Sequence, residues 1–230
     1  MKIYSMVHFF GVLILVLSLI LQGCTTVTVD RVTHQKAILN QGDAIVVIGR
    51  RSGSDYETEP ELVACIGEVL ARSNSELNII PEADFVDRLY PWFEARTAPT
   101  QVRDLSRLLS YKKISTLIDE YQVQYIVWVD GNTEKTSSAG SISCGLSPTG
   151  AACFGFGTWD TKSEYEATIW NYNTRQLSGK ISSTADGTSY MPAVVVPIPI
   201  IAPVQSDACK AMAFQLAQFF GPESVQKPNK

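Results

Sequence analysis

The chain has 230 residues, of which 45% are hydrophobic and 18% charged, and its formal net charge is −4 at pH 7. A hydrophobic share of that size is typical of a globular protein and excludes disorder over most of the chain. A mildly acidic chain without a stripe of lysine and arginine does not favour nucleic-acid binding, because phosphate contacts supply most of that affinity.

Residues 1–23 have the pattern of a secretory signal peptide. Lys2 comes first, an almost wholly apolar run follows to Leu21, and the small residue Gly23 stands directly before Cys24. The apolar run is shorter than the roughly 20 residues that a membrane-spanning helix needs. On the residues alone, an ordinary cleaved signal and an uncleaved anchor are the alternatives to lipid attachment.

The last four residues of this segment, Leu21-Gln22-Gly23-Cys24, resemble the lipobox of bacterial lipoproteins. The resemblance implies that the sulfur of Cys24 carries two acyl chains such as palmitate. It also implies that cleavage after Gly23 makes Cys24 the first residue of the mature protein. Thr25, rather than an aspartate, follows the cysteine. By the same resemblance, this implies the outer membrane, with the folded part on the periplasmic side.

The first half of the mature chain predicts alternating strands and helices. Residues 24–41 are expected to be a tether, although the polar, β-prone stretch after Cys24 could also be a short first strand. A single α/β domain is expected over 42–221. Its first elements are a strand at Asp43–Gly49, a helix opening at Glu59-Pro60-Glu61, a strand at Asn78–Ile80 and a helix over 82–93.

The second half predicts one long or two short helices over 102–121 and a strand at Val123–Val129. The Ser-, Gly- and Thr-rich stretch 133–161 is too long for a simple turn and is expected to be an insertion, either a functional loop or a hairpin. Residues 164–184 predict a hairpin, and the four prolines within 191–203 argue against a helix or a central strand. A last helix follows, and 222–230 are expected to be a loose tail.

This order predicts a mixed α/β fold, in which a partly parallel sheet with a C-terminal antiparallel hairpin is packed by helices. The segments 123–132 and 165–186 resemble the core of a periplasmic lipoprotein superfamily. That superfamily includes the curli secretion lipoprotein, the activator lipoproteins of penicillin-binding proteins and the N-terminal domain of the Tol-system periplasmic protein. The resemblance implies a fold like that of anticodon-binding domains, used for binding rather than catalysis.

Four cysteines remain after Cys24, and outside the cytoplasm an even set is a candidate disulfide framework. Cys144 and Cys153 enclose a short loop, so a disulfide between them is the simplest pairing. Cys65 and Cys209 are then either bridged or buried as small hydrophobic residues. His34 is the only histidine after residue 23 and there is no CxxC pair, so neither a metal site nor a cofactor is expected.

The sequence contains no GxSxG, HExxH, Walker A or EF-hand pattern, so we expect a non-enzymatic protein. Two unusual segments are candidates for contact with another molecule, Cys144–Trp159 with a partner and Ala193–Pro203 with a partner or a membrane. The alternative is that each folds back onto the core. Their candidate contact residues are Phe154, Phe156, Trp159, Val195, Ile198 and Ile200.

The leading hypothesis is a membrane-anchored periplasmic module that binds a protein of the cell envelope. The alternatives are an oligomeric secretion or pore component of the outer membrane, which needs amphipathic strands of about 9–11 residues, and an envelope hydrolase with no identifiable catalytic set.

Overall fold

A computed structural model describes residues 25–50, 58–93, 97, 102–148 and 150–221. The predicted signal peptide 1–23, the acylation site Cys24 and the expected tail 222–230 lie outside the described residues.

The described residues form six strands and five helices. The strands are β1 (Thr25–Thr33), β2 (Ala44–Gly49), β3 (Asn78–Ile80), β4 (Val123–Ser147), β5 (Gly150–Asn171) and β6 (Gln176–Pro197). The helices are α1 (Pro60–Ser73), α2 (Glu82–Arg88), α3 (Val102–Leu108), α4 (Lys112–Glu120) and α5 (Val204–Phe219). The expected region 102–121 is therefore two short helices.

The six strands form one mixed sheet in the order β1-β6-β5-β4-β2-β3. Strand β2 runs parallel to both β3 and β4. Strands β4 and β5 run in opposite directions, because Gly131 lies beside Glu164 whereas Gly140, further along β4, lies beside Phe156, earlier in β5. The predicted mixed α/β class is confirmed, and the likeness to anticodon-binding domains stays a prediction.

Strand β2 is the centre of the core, and all six of its residues are buried. On one face of the sheet, Val46 and Ile48 belong to a cluster that includes Phe85 of α2 and Ile114 of α4. Alternate residues of a strand point to opposite faces. Tyr125, which alternates with Ile126 of that cluster, contacts Phe220 just after α5, with ring centroids 5.2 Å apart. Helices thus pack on both faces.

The chain divides into two compact units, which we describe separately. The helical unit comprises Val27–Thr133, Ser163–Ala185 and Gln205–Lys230. The strand unit comprises Glu134–Lys162 and Asp186–Val204, together with the first described residues, Thr25 and Thr26.

Two expectations need correction. Residues 25–33 are not a free tether but strand β1, a neighbour of β6, and the backbone N–H groups of His34 and Gln35 just beyond β1 both donate to Ser178 O. Residues 191–197, where the prolines argued against a helix or a central strand, are the end of β6. The chain turns back there, and Ile198 N donates to the carbonyl of Pro192, the backbone hydrogen-bonding group that proline retains.

Candidate functional site

One carboxylate in the strand unit contacts both neighbouring strands. Asp160 on β5 accepts hydrogen bonds from Ser137 Oγ on β4 at 2.5 Å and from Thr188 Oγ1 on β6 at 2.6 Å. These hydrogen bonds, with that of Ser137 the stronger, lower the pKa of Asp160 because they favour its charged form. One charged side chain therefore links three neighbouring strands.

A disulfide and two glycines define the turn end of the β4–β5 pair. Cys144 and Cys153 are bonded, with their Cα atoms 4.0 Å apart. Gly140 and Gly155 have φ values of +92° and +145°, and a Cβ at either position would collide with a carbonyl oxygen of the opposite strand. Only glycine allows this close backbone approach. Residues 133–147 and 150–161 belong to the stretch expected to be either a functional loop or a hairpin, and they lie in these two strands, as the hairpin alternative predicts.

Aromatic side chains are exposed on the same strands. Phe154 is 60% exposed and Phe156 is 49% exposed, and the Phe156 ring lies 6.1 Å from that of Tyr190 on β6. Because residues two apart along a strand share a face, Phe154 and Phe156 lie on the same face as Asp160. We call Phe154, Phe156 and Tyr190 the aromatic row.

Trp159, the third predicted aromatic contact, has a different environment. It alternates with the aromatic row and so points to the other face of the sheet. The side chain is half-buried, and the Lys135 ammonium lies 5.7 Å from its ring centroid. That distance is within the range of a cation–π interaction. Trp159 is therefore part of the packing of β4 against β5, apart from the aromatic row.

The proline-rich stretch turns back on itself at the end of β6. Tyr190 and Ile200 exchange backbone hydrogen bonds of 2.9 and 2.7 Å. Between them the chain exposes four aliphatic side chains, which we call the apolar tip: Val194, Val195, Val196 and Ile198. Exposure reaches 75% at Val194, and Val195 has a φ of +77°, which is rare for a β-branched residue. Ile200, also predicted as a contact, is only half-exposed.

The sequence reasoning missed Tyr190 and did not name Val194 and Val196 individually, although both lie inside the predicted segment Ala193–Pro203. A further signal for this surface was present. No charged residue occurs from Thr136 to Trp159 or from Gly187 to Ser206. The two runs lie largely in β4, β5 and β6, and neither contributes a charged side chain to the strand unit. The distribution of charge along the chain, rather than hydrophobic periodicity, identifies this region.

The helical unit contains a carboxylate–tyrosine pair of the kind that can act in acid–base chemistry. Tyr165 Oη donates to Glu59 Oε2 at 2.9 Å, and Thr133 N donates to Glu59 Oε1 at 2.7 Å. Tyr165 is buried, and burial raises its pKa well above the usual value, with the nearby Glu59 carboxylate adding to the effect. A buried tyrosine that stays protonated and hydrogen-bonded suits a structural role, linking the start of α1 to β4 and β5.

Two surface cavities lie in the helical unit. One, of about 590 Å³, is lined by β3 and by Asp84, Asp87, Arg88 and Tyr121. The other, of about 530 Å³, lies beside α5 and includes Arg31, Lys36 and Phe214. Within the described ranges, no group of three or more histidine, cysteine, aspartate or glutamate side chains is arranged to hold a metal ion. Across the same residues, no helix combines the length and apolarity needed to cross a bilayer.

Both cysteine pairs nominated from the sequence are disulfides in the structure. Cys65 on α1 is bonded to Cys209 on α5, with Cα atoms 6.3 Å apart. This bond joins two helices that are distant in sequence within the helical unit, whereas the Cys144–Cys153 bond closes a short loop in the strand unit.

No family model matches the chain, and no curated protein matches it in sequence. Solved structures that are similar to it include a point variant of the PelC dodecamer from Paraburkholderia phytofirmans, with 11% identity, a TM-score of 0.40 and coverage of 84% of this chain and 97% of that one. A second crystal form of the PelC dodecamer has 11% identity, a TM-score of 0.38 and coverage of 88% and 100%.

A neuraminyllactose-binding hemagglutinin homolog from Helicobacter pylori is also similar, with 9% identity, a TM-score of 0.34 and coverage of 84% of this chain and 92% of that one. Sequence identities and TM-scores this low support no conclusion about function or assembly.

Proposed function

We propose that the chain is a lipid-anchored, non-enzymatic module of the bacterial cell envelope that binds a protein partner. The observation that carries the proposal is the aromatic row, three exposed rings on adjacent strands of the strand unit. Aromatic side chains supply large contact area and are enriched among the residues that dominate binding energy at protein interfaces.

The backbone under the aromatic row is suited to binding because it is already ordered. Asp160 ties together β4, β5 and β6, and the Cys144–Cys153 disulfide closes β4 onto β5. Binding to a preformed surface costs less conformational entropy than binding that must order a loop. These restraints support a contact surface rather than a flexible linker.

Attachment to the membrane follows from Cys24, which immediately precedes β1. If Cys24 is acylated, the lipid is joined to a strand of the sheet rather than to a long tether. Two acyl chains are sufficient for stable anchoring, because each buried methylene contributes about 0.8 kcal/mol. Mass spectrometry of the mature N-terminus tests this part directly, and an unmodified Cys24 would contradict it.

Site-specific photocrosslinking tests the binding role. A photoreactive amino acid at Phe154 should give one discrete protein adduct in intact envelopes, and Phe156→Ser in the same chain should greatly reduce it. Phe214 on α5 in the helical unit is the matched control because its side chain is also 60% exposed. Equal adduct patterns from positions 154 and 214 would contradict the proposal.

A second candidate is an oligomeric secretion or pore component. The observation in its favour is that β4 and β5 are 25 and 22 residues long and share the uncharged run from Thr136 to Trp159. A strand that crosses a bilayer needs only about 9–11 residues. The mass of the purified protein in detergent decides this candidate, since a strictly monomeric protein would remove it.

A further inference from the structure

The apolar tip differs in chemistry from the aromatic row. Val194, Val195, Val196 and Ile198 are each more than half exposed, and all four are β-branched aliphatic residues. A contiguous exposed patch of this kind on a soluble protein marks contact with a partner or a membrane. The composition, charge and backbone of the apolar tip distinguish between a protein partner and a membrane.

We propose that the apolar tip inserts into the surface of a lipid bilayer, as a second membrane contact besides the acyl group at Cys24. This proposal depends on one part of the proposed function, namely that the lipid at Cys24 holds the chain at a membrane. It adds a protein–lipid contact made by a specific turn of the chain.

The composition of the apolar tip favours lipid over protein. Residues that dominate protein interfaces are enriched in tryptophan, tyrosine and arginine, whereas valine is under-represented among them. Valine and isoleucine transfer favourably into the hydrocarbon of a bilayer. The apolar tip consists of these two residues with Pro197 between them.

The charge distribution points the same way. The run from Gly187 to Ser206 contains no acidic, basic or histidine residue, so insertion of the tip would bring no charged side chain of this run into the bilayer. Contact with the bilayer would accordingly rest on apolar burial alone. It should depend neither on anionic lipid nor on low salt, unlike the attachment of a basic segment.

The backbone of the turn is also adapted to a water-poor environment, in which each unpaired N–H group is costly. Pro192, Pro197 and Pro199 have no N–H group to satisfy. Tyr190 and Ile200 exchange two hydrogen bonds, and Ile198 N donates to Pro192 O at 3.0 Å. The turn therefore presents fewer unpaired donors than an ordinary loop of the same length.

The test uses the full chain reconstituted in vesicles of phosphatidylcholine alone, with a photoreactive amino acid at Val195. The matched control carries it at Tyr111 in the helical unit, which is 58% exposed, close to the 53% of Val195. Mass spectrometry of the adducts should show several-fold more lipid attached at position 195 than at 111. The yield at 195 should stay the same at high salt.

A second variant separates apolar insertion from mere proximity to the bilayer. Val194→Ser and Val196→Ser together, with the probe kept at 195, should reduce the lipid adduct several-fold, because both side chains are exposed and their loss opens no cavity in the core. Equal lipid labelling at 195 and 111, or adducts at 195 to a protein or a second copy of the chain, would overturn the proposal. Failure of the proposed function would be detected by different measurements, namely mass spectrometry of Cys24 and photocrosslinking from position 154.

Discussion

Removal of the Cys65–Cys209 disulfide should destabilise the protein more than removal of the Cys144–Cys153 disulfide. The two bonds differ in the length of chain that they close, since the cysteines are 144 residues apart in one and 9 residues apart in the other. A cross-link stabilises the folded state mainly by restricting the unfolded chain, and this effect grows with the logarithm of the loop length.

The loop lengths give the expected magnitudes. At 25 °C the chain-entropy relation predicts a loss of about 5 kcal/mol for Cys65→Ala/Cys209→Ala and about 2.6 kcal/mol for Cys144→Ala/Cys153→Ala. Measured losses are often smaller than this relation predicts, so the order of the two variants is the firm part of the prediction. The total stability of a domain is only about 5–15 kcal/mol, so the first variant should be close to unfolding at 37 °C.

The free energy of unfolding should be measured by urea titration of the wild type and both double variants. Circular dichroism reports on both the helices and the long strands of the described chain, so it follows the unfolding of the helical unit and of the strand unit. If the Cys144–Cys153 variant loses as much stability as the Cys65–Cys209 variant, or more, loop length does not govern the effect and the reasoning is refuted. If the slope of the unfolding free energy against urea concentration is the same as in the wild type, both variants keep a comparable folded state.

Three further predictions concern single residues. Tyr165→Phe removes the donor to Glu59 and should lower the free energy of unfolding by about 1–3 kcal/mol, because a part-buried carboxylate oxygen loses its partner. An unchanged urea midpoint would argue against a structural role. Gly140→Ala should lower the thermal midpoint, because its Cβ meets a carbonyl of β5, whereas Gly145→Ala, with open space around it, should have little effect. Burial raises the pKa of Tyr172 to about 12, whereas an unfolded tyrosine ionises near pH 10. Its stabilisation should therefore be complete below pH 10 and disappear between pH 10 and 12, and a Tyr172→Phe variant should show a flatter stability profile over that range.

The sequence predicts best those elements in which local preference and tertiary packing agree. Strand β2 is recognisable because an unbroken β-branched run suits only a strand covered on both faces, and all its residues are buried. Helix α1 begins at Pro60, as its early proline and acidic first turn predict. In these elements local preference and tertiary packing require the same side chains.

The strand unit could not be predicted in the same way. Strands β4, β5 and β6 extend well beyond the apolar runs that identify them, into stretches rich in serine, glycine and threonine. Such residues give no alternation of apolar and polar side chains, so their extended structure depends on pairing with strands distant in sequence. The contacts of Asp160 with Ser137 and Thr188 are of this non-local kind.

The aromatic row and the apolar tip are exposed for a common physical reason. A domain that relies on a hydrophobic core must bury its large apolar side chains, as the helical unit does with Phe85 and Tyr125. The strand unit relies instead on backbone pairing, one shared carboxylate and one disulfide, which order the chain without a large apolar core. Its aromatic and aliphatic side chains are consequently not needed for folding and remain available for contact with another molecule. On this reasoning, substitutions in the aromatic row or the apolar tip should impair binding while leaving stability nearly unchanged, which is the opposite of what substitution of a core residue would do.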